Sequence, residues 1–114
     1  MDCLFCKIIN KEIPGDIVYE DQDVLAFNDI NPKAPVHVLV IPKQHVANVT
    51  EVANVAKVAM IGKIFTVMGK LAREKEIDKS GYRIVVNNGR DAGQAVDHLH
   101  FHLLGGRPLK WPPG

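Results

Sequence analysis

Polar and apolar residues alternate most strictly near the end of the chain, from Asp97 to Leu104. Side chains of an extended strand point alternately to its two faces, so this pattern predicts a strand with one histidine face and one apolar face. The histidine face carries His98, His100 and His102, and the apolar face carries Leu99, Phe101 and Leu103. Imidazoles at this spacing lie about 7 Å apart, close enough to line one groove. The pattern indicates a metal site, a nucleophilic or acid–base site, or both.

Apolar runs bounded by turn residues predict the remaining strands and a first helix. The predicted elements are a short helix at 3–10, a β-hairpin at 17–20 and 24–27, a buried strand at 36–41, a strand at 82–86 and the histidine strand. A loop with two prolines at 29–35 leads into the buried strand, which stops at Pro42. Short strands combined with one long helix predict an α+β fold with a mainly antiparallel sheet.

The long helix is predicted from Thr50, a candidate N-cap, to Lys75. Its apolar residues occupy nearly half of the helical circumference, which is more than one sheet face requires. Gly62 and Gly69 lie at the edge of this apolar arc, where another backbone could approach closely. Either the helix is deeply buried, or it also packs against a second subunit. The arc consists of Val58, Ile61, Ile64, Phe65, Met68 and Leu71.

Composition adds limits on the class of protein. The chain has 114 residues, 46% apolar and 24% charged, as expected for a single domain, residues 1–114, with a core that needs no disulfides. A net charge of +1 without a basic run argues against binding a nucleic-acid polymer, so a nucleotide would be bound as a small ligand. No signal-peptide pattern and no run of about 20 apolar residues is found, which predicts a cytoplasmic protein without a membrane span.

The loop at 87–94 lies directly before the histidine strand and contains Gly89 and Gly93. Glycine-bearing loops are often simple turns, but their backbone N–H groups can also approach an anion closely. Together with the Asn87 amide and the imidazoles, this loop suits phosphoryl or nucleotidyl transfer. The central His100 is the predicted nucleophile, and His102 is expected to bind a non-bridging oxygen or to move a proton.

Cys3 and Cys6 permit three interpretations. They could be a redox pair, half of a zinc site, or two small buried apolar residues. A redox motif would need a thioredoxin-like βαβ context, which the start of the chain lacks. A zinc site would need two more ligands, for which the candidates are His37, His45 and His98.

The segment from His98 to Leu104 matches the signature of the histidine triad (HIT) family, in which three histidines alternate with apolar residues. The chain resembles the nucleotide-binding branch of this family along nearly its whole length. Other matching segments are Lys11-Glu12-Ile13-Pro14, Val40-Ile41-Pro42-Lys43, Gly81-Tyr82-Arg83, Gly93-Gln94 and Trp111-Pro112-Pro113-Gly114.

The resemblance implies a five-stranded, mainly antiparallel sheet with one long helix and one short N-terminal helix, and a homodimer across which the sheet is extended. It implies hydrolysis of purine nucleoside 5′-phosphoramidates or related nucleotide conjugates through a covalent nucleotidyl intermediate on His100. The alternative is a nucleotide-binding or scaffold protein that makes little use of this chemistry.

The resemblance also implies roles for individual residues. Asp29 is expected to bind the ribose hydroxyls, and Asn87 and the backbone of Gly93 and Ala95 to contact the α-phosphate beside His102. The expected walls of the base and ribose pocket are Phe5, Ile8, Phe27 and Ile30. The implied ligands of a structural zinc are Cys3, Cys6, His45 and His98, and no organic cofactor is expected.

Two positions stand apart from these roles. His37 matches the family, but packing within the sheet is its expected role. Ala95 stands where many relatives carry serine or threonine, so a hydroxyl that could donate to the leaving group is missing. This departure concerns the preferred leaving group, not the class of reaction.

Overall fold

Five antiparallel strands form the sheet that the sequence predicts, in the spatial order β1-β2-β3-β5-β4. The structure is a computed structural model that describes residues 3–114; Met1 and Asp2, part of the segment assessed for a signal peptide, lie outside the described residues. The strands are β1 (Ile17–Glu20), β2 (Val24–Asn28), β3 (Val36–Pro42), β4 (Tyr82–Val86) and β5 (Phe101–Gly105).

The short helix α1 (Leu4–Ile9) is present as predicted, and the Cys3 thiol caps it by accepting from the Cys6 N–H. The long helix α2 (Val55–Glu74) begins five residues later than predicted. The Asn54 side chain accepts from the Lys57 N–H and is therefore the N-cap, a bond that contributes about 1 kcal/mol. Thr50 instead lies in a single 3₁₀ turn.

The two faces of the sheet are covered differently. Helix α2 covers one face, where buried residues of the strands pack against its buried stripe. That stripe consists of Met60, Ile64, Val67, Met68, Leu71 and Ala72. On the other face, α1 packs only against β2 and β3, where Phe5 and Ile8 meet Phe27 and Leu39. The part of this face formed by β4 and β5 is left open, and the candidate active site lies there.

The predicted start of the histidine strand is wrong. The ladder between β3 and β5 ends at the pair Val40 and Phe101, so the strand begins three residues later than the histidine pattern suggested. The Leu99 N–H donates to the Val46 carbonyl instead of to a strand. Alternation nevertheless holds, because Leu99 is buried beneath α2 while His98 faces the other way, toward Cys3.

The apolar arc of α2 is also divided differently from the prediction. Val58 and Phe65 are 60% and 49% exposed and do not belong to the buried stripe. They form a second, exposed stripe with Val55, Gly62 and Gly69, and no atom lies within 4 Å of a Cβ built on either glycine. Among the described residues, no helix is long and apolar enough to cross a membrane.

Candidate active site and metal centre

Two histidines and an aspartate form a row of polar contacts on the open part of the sheet. Cross-strand pairing sets Leu39 opposite His102 and His37 opposite Leu104, which makes the two histidines diagonal neighbours. His37 Nε2 lies 2.9 Å from His102 Nδ1, and an Asp29 carboxylate oxygen lies 3.4 Å from the same His37 nitrogen. Sequence analysis did not place His37 beside His102, because a sequence does not reveal the register between β3 and β5.

The hydrogen bonds that link Lys33, His37 and His102 define the tautomer of each imidazole. The backbone N–H of Lys33 donates to His37 Nδ1 at 3.0 Å, so the proton of neutral His37 resides on Nε2. That N–H donates to His102 Nδ1, so the proton of His102 resides on its own Nε2. Among residues 3–114, this buried Nε2 of His102 has no hydrogen-bond partner. This row of hydrogen bonds therefore ends in a desolvated donor, the Nε2–H of His102, that can bind an anionic oxygen.

A groove of about 320 Å³ lies beside these contacts, and His102 is one of the residues that line it. Asp29, His37 and His102 line one side of it, and Asn87, at the end of β4, lines another. Lys33 and Asn31 from the proline-containing loop lie at its edge, and Val85 and Leu104 contribute apolar surface. The groove combines acceptors, donors and a cation in one place, as a phosphorylated polar ligand requires.

The predicted nucleophile His100 lies beside this row of hydrogen bonds and is only 6% exposed. Its Nδ1–H donates to the His98 carbonyl at 2.8 Å, which leaves the lone pair of a neutral ring on Nε2. Within residues 3–114, Nε2 makes no hydrogen bond. The ring meets Phe5 edge-on and lies 5.2 Å from the ring of His102, measured between centroids. This arrangement is suitable for nucleophilic attack by Nε2.

The loop at 87–94 is held in shape by Gln94, which the sequence suggested only as a match to the family. Its side-chain amide donates to the Ala47 and Val96 carbonyls, and its oxygen accepts from the Gly89 N–H. Gly89 and Gly93 have φ values of +84° and +82°, a conformation that side chains disfavour. The loop is thus a rigid turn, as a phosphate-binding backbone would need to be.

Burial governs the charge of the histidines in the groove. It lowers the pKa of His102 to about 4, and the neighbouring His100 and His37 act in the same direction. Burial also lowers the pKa of His37, although the Asp29 carboxylate opposes this change. Both imidazoles are therefore neutral at pH 7, consistent with the tautomers that the hydrogen bonds define.

The four residues implied as zinc ligands come together at the end of the groove-bearing face. His98 Nδ1 lies 3.4 Å from Cys3 Sγ, 3.6 Å from Cys6 Sγ and 3.1 Å from His45 Nδ1. A tetrahedral zinc site with ordinary bond lengths has S···N separations of about 3.6 Å and N···N separations of about 3.3 Å. The spacing of these donor atoms therefore fits a tetrahedral metal ion.

The hydrogen bonds around His98 support the same conclusion. His98 Nε2–H donates to the Pro42 carbonyl at 2.8 Å, so its Nδ1 carries a lone pair. A ligand histidine commonly has its other nitrogen held by a backbone carbonyl in this way. Burial raises the pKa of the Cys6 thiol to about 11, and the neighbouring Cys3 adds to the shift. A bound cation would reverse this effect, because metal binding displaces the thiol proton.

The other predicted ligand-binding residues are more scattered. Phe5, Ile8 and Phe27 are buried in the core under α1, where Phe5 reaches the edge of the site at His100. The Ile30 side chain is fully exposed. Ala95 is exposed on the loop that precedes His98.

A five-stranded antiparallel sheet, with histidines at alternate positions on and just before β5, is the arrangement that the histidine triad signature implies. The HIT domain model matches residues 10–109, and the chain belongs to this family. An uncharacterized HIT-like protein of Synechococcus elongatus is 52% identical over 99% of this chain and 97% of its own.

Two further proteins carry more informative descriptions. A purine nucleoside phosphoramidase of Escherichia coli K12 is 47% identical over 95% of this chain and 90% of its own. A HIT family hydrolase of Legionella pneumophila has a solved structure with a TM-score of 0.96, 46% identity and coverage of 99% of this chain and 100% of its own. The fold described above is therefore the HIT fold.

Proposed function

We propose that this protein is a nucleotide hydrolase that cleaves purine nucleoside 5′-phosphoramidates or related nucleoside monophosphate conjugates. The observation that carries the proposal is the buried, unpartnered Nε2–H of His102 beside the available Nε2 lone pair of His100. A donor for a phosphate oxygen next to a nucleophile is the arrangement that nucleotidyl transfer needs. The described phosphoramidase from E. coli supports the substrate class.

In the first step, His100 Nε2 attacks the α-phosphorus, and an N–P bond forms on the ring. The bond from phosphorus to the leaving group breaks, and the leaving amine keeps its electron pair and takes up a proton from solvent water. The imidazolium that results is stabilised because its Nδ1–H already points at the His98 carbonyl. Water then displaces the histidine and releases the nucleoside monophosphate.

The other residues would bind and orient the substrate. His102 Nε2–H would donate to a non-bridging oxygen as charge develops there, with Asn87 and the backbone of Gly93 and Ala95 around the same phosphate. The Asp29 carboxylate lines the groove and would accept from the ribose hydroxyls. The base would lie toward the side formed by Phe5, Ile8, Phe27 and Ile30.

We also propose that the Cys3, Cys6, His45 and His98 cluster holds a structural zinc ion. Two thiols and two imidazole nitrogens are a ligand set that zinc commonly takes in closed structural sites. A bound ion would connect α1 to the loop after β3 and to the segment that carries the nucleophile.

The exposed stripe of α2 supports a further part of the proposal, a homodimer. Val55 and Val58 are 86% and 60% exposed, and the two glycines leave room for a second backbone. The outer edge of β4 is unpaired within the described chain and could extend the sheet. Light scattering should give the mass of a dimer, and Val58→Asp should shift it toward the monomer, whereas Lys75→Asp, at the exposed C-cap, should not.

The proposed activity is tested with adenosine 5′-phosphoramidate as the substrate. The protein should release AMP, and a rapid quench in denaturant at alkaline pH should trap label from the nucleotide on the protein, because the P–N bond of a nucleotidyl-histidine is stable to base and labile to acid. His100→Ala should lower kcat at least 10³-fold and abolish trapping while nucleotide binding remains measurable. Binding without turnover in the unchanged protein would instead favour the nucleotide-binding or scaffold alternative.

A further inference from the structure

The segment that carries the predicted nucleophile is not held by the sheet. His98, Leu99 and His100 precede the first residue of β5, so no strand ladder fixes their backbone. Leu99 is anchored by its N–H to the Val46 carbonyl and by burial beneath α2. The conformation of the two peptides on either side of Leu99 must therefore be fixed by the side chains of the segment.

His98 is the residue that fixes it, through three separate contacts. Its Nε2–H is bonded to the Pro42 carbonyl at the end of β3, and its Nδ1 faces Cys3, Cys6 and His45. Its own carbonyl accepts the Nδ1–H of His100. The side chain of His98 thus belongs to the metal cluster, while its backbone belongs to the active site.

We propose that the metal cluster controls the nucleophile through His98, which acts as a positioning residue and holds His100 in the tautomer that can attack. The inference rests on the proposed hydrolysis and on the proposed metal. When the cluster is loaded, the His98 ring is fixed at Nδ1 and Nε2, and its carbonyl is held in place for His100. When one ligand is lost, the His98 carbonyl is free to move away from Nδ1–H of His100.

A neutral imidazole without that acceptor is divided between its two tautomers. The tautomer with hydrogen on Nε2 has no lone pair on that nitrogen and cannot attack phosphorus through it. Loss of metal should therefore lower kcat in proportion to the fraction of molecules in which His100 carries its proton on Nε2. It should leave KM nearly unchanged, because Asp29, Asn87 and His102 lie outside the cluster.

The test compares wild-type protein and His45→Ala, both titrated with zinc under reducing conditions. His45 is the ligand to replace, because Cys3 also caps α1 and His98 supplies the carbonyl itself. Bound zinc is counted by elemental analysis, and the tautomer of each histidine is determined from its ¹⁵N NMR shifts. The variant should show a mixed His100 tautomer and at least a 10-fold lower kcat, with KM changed less than threefold.

Val67→Ala is the matched control, since it lowers stability in the core under α2 without touching the cluster. It should keep the Nδ1–H of His100 and wild-type kcat.

If His45→Ala fails to fold, wild-type protein depleted of zinc to intermediate occupancy replaces it, and the fraction of His100 in the other tautomer should grow as occupancy falls. The coupling would be overturned if a metal-poor sample kept the His100 proton on Nδ1, or if its kcat stayed within twofold of wild type. Failure of the protein to bind zinc would overturn it too. If the loaded wild-type protein does not turn over the substrate, the proposed function fails, and the NMR tautomers alone decide the coupling.

Discussion

Two groups of potential metal ligands occupy the same face of the sheet, and their hydrogen bonds distinguish them. One contains Cys3, Cys6, His45 and His98, and the other contains Asp29, His37 and His102. Both bring their ligand atoms within 4.8 Å of one another. In the first group, His98 Nδ1 must be an acceptor, and it faces two sulfur atoms and a second Nδ1.

In the second group the contacts of the two histidines along the row from Lys33 to His102 can each be assigned a donor and an acceptor. Lys33 donates to His37, His37 donates to His102, and His102 ends with an Nε2–H that has no partner among residues 3–114. A metal ion here would have to displace the proton that joins the two imidazoles. Proximity of ligands is thus insufficient to identify a metal centre, and the hydrogen bonds of the second nitrogen of each histidine decide between a cation and a proton chain.

Removing one ligand from each group should produce the largest contrast. We expect about one zinc ion per chain in wild-type protein, far less in Cys6→Ser, and an unchanged amount in Asp29→Asn. Zinc binding in small structural sites is worth about 10 kcal/mol or more, so Cys6→Ser should lower Tm by roughly 10 °C or more. Elemental analysis and thermal unfolding measure both effects. Equal zinc loss in the two variants would show that the groups do not differ as described.

The proton chain is broken by His37→Leu, which removes the donor to His102. His102 would then no longer be held with hydrogen on Nε2, and kcat should fall by about 10²-fold, the order seen for loss of one donor to a transition-state oxygen. His37→Gln is the matched variant, because its amide can still donate to His102 Nδ1. It should recover much of the activity while zinc content stays constant in both. An unaltered kcat in His37→Leu would return His37 to a packing role.

Ala95 allows a finer test on the side of the leaving group. A hydroxyl at this position could donate to the departing amine, so Ala95→Ser should raise kcat/KM about tenfold for poorly activated amine leaving groups, equivalent to roughly 1.4 kcal/mol. An aryl ester of the same nucleotide should gain much less. Equal gains on the two substrates would mean that position 95 acts elsewhere than on the leaving group.

The smallest effect concerns pH. Burial lowers the pKa of His98 and of His102 to about 4, below the unfolded value near 6.5. Between these values the unfolded chain binds more protons than the folded one, so stability should rise with pH from about 4 to 6.5. Chemical denaturation of zinc-depleted protein measures this slope. His102→Asn should reduce it, because only His98 and His37, whose pKa burial also lowers, would still contribute. A slope of opposite sign would contradict the burial effect.

Sequence patterns predicted which helices and strands form better than they predicted the residues at which these elements begin and end. Alternation from His98 to Leu103 correctly separated the two faces, but it could not show that the ladder stops at Phe101, which depends on the partner strand. Helical periodicity found α2, yet it does not distinguish a 3₁₀ turn at Thr50 from the first turn of a helix. The cap at Asn54 depends on a backbone geometry that only the fold provides.

The site shows the same limit. Resemblance to the family named the four metal-ligand candidates and both groove histidines, and the structure places each group together. His37 was assigned to packing because a lone histidine in a buried strand carries no signal of its own. Its alternation with Leu39 and Ile41 was a usable hint, since it places His37 on the face away from α2.

The alternation of residues 98 to 103 also constrains how the number of residues in this segment can change. Removing Leu99 alone would place two histidines in succession and turn one of them into the core beneath α2, because a shift of one residue exchanges the faces. Insertion of one residue would do the same. Substitutions at the apolar positions preserve the register, whereas single-codon insertions and deletions separate the metal ligand from the nucleophile. Among homologous sequences, this segment is therefore expected to vary in residue type and not in length.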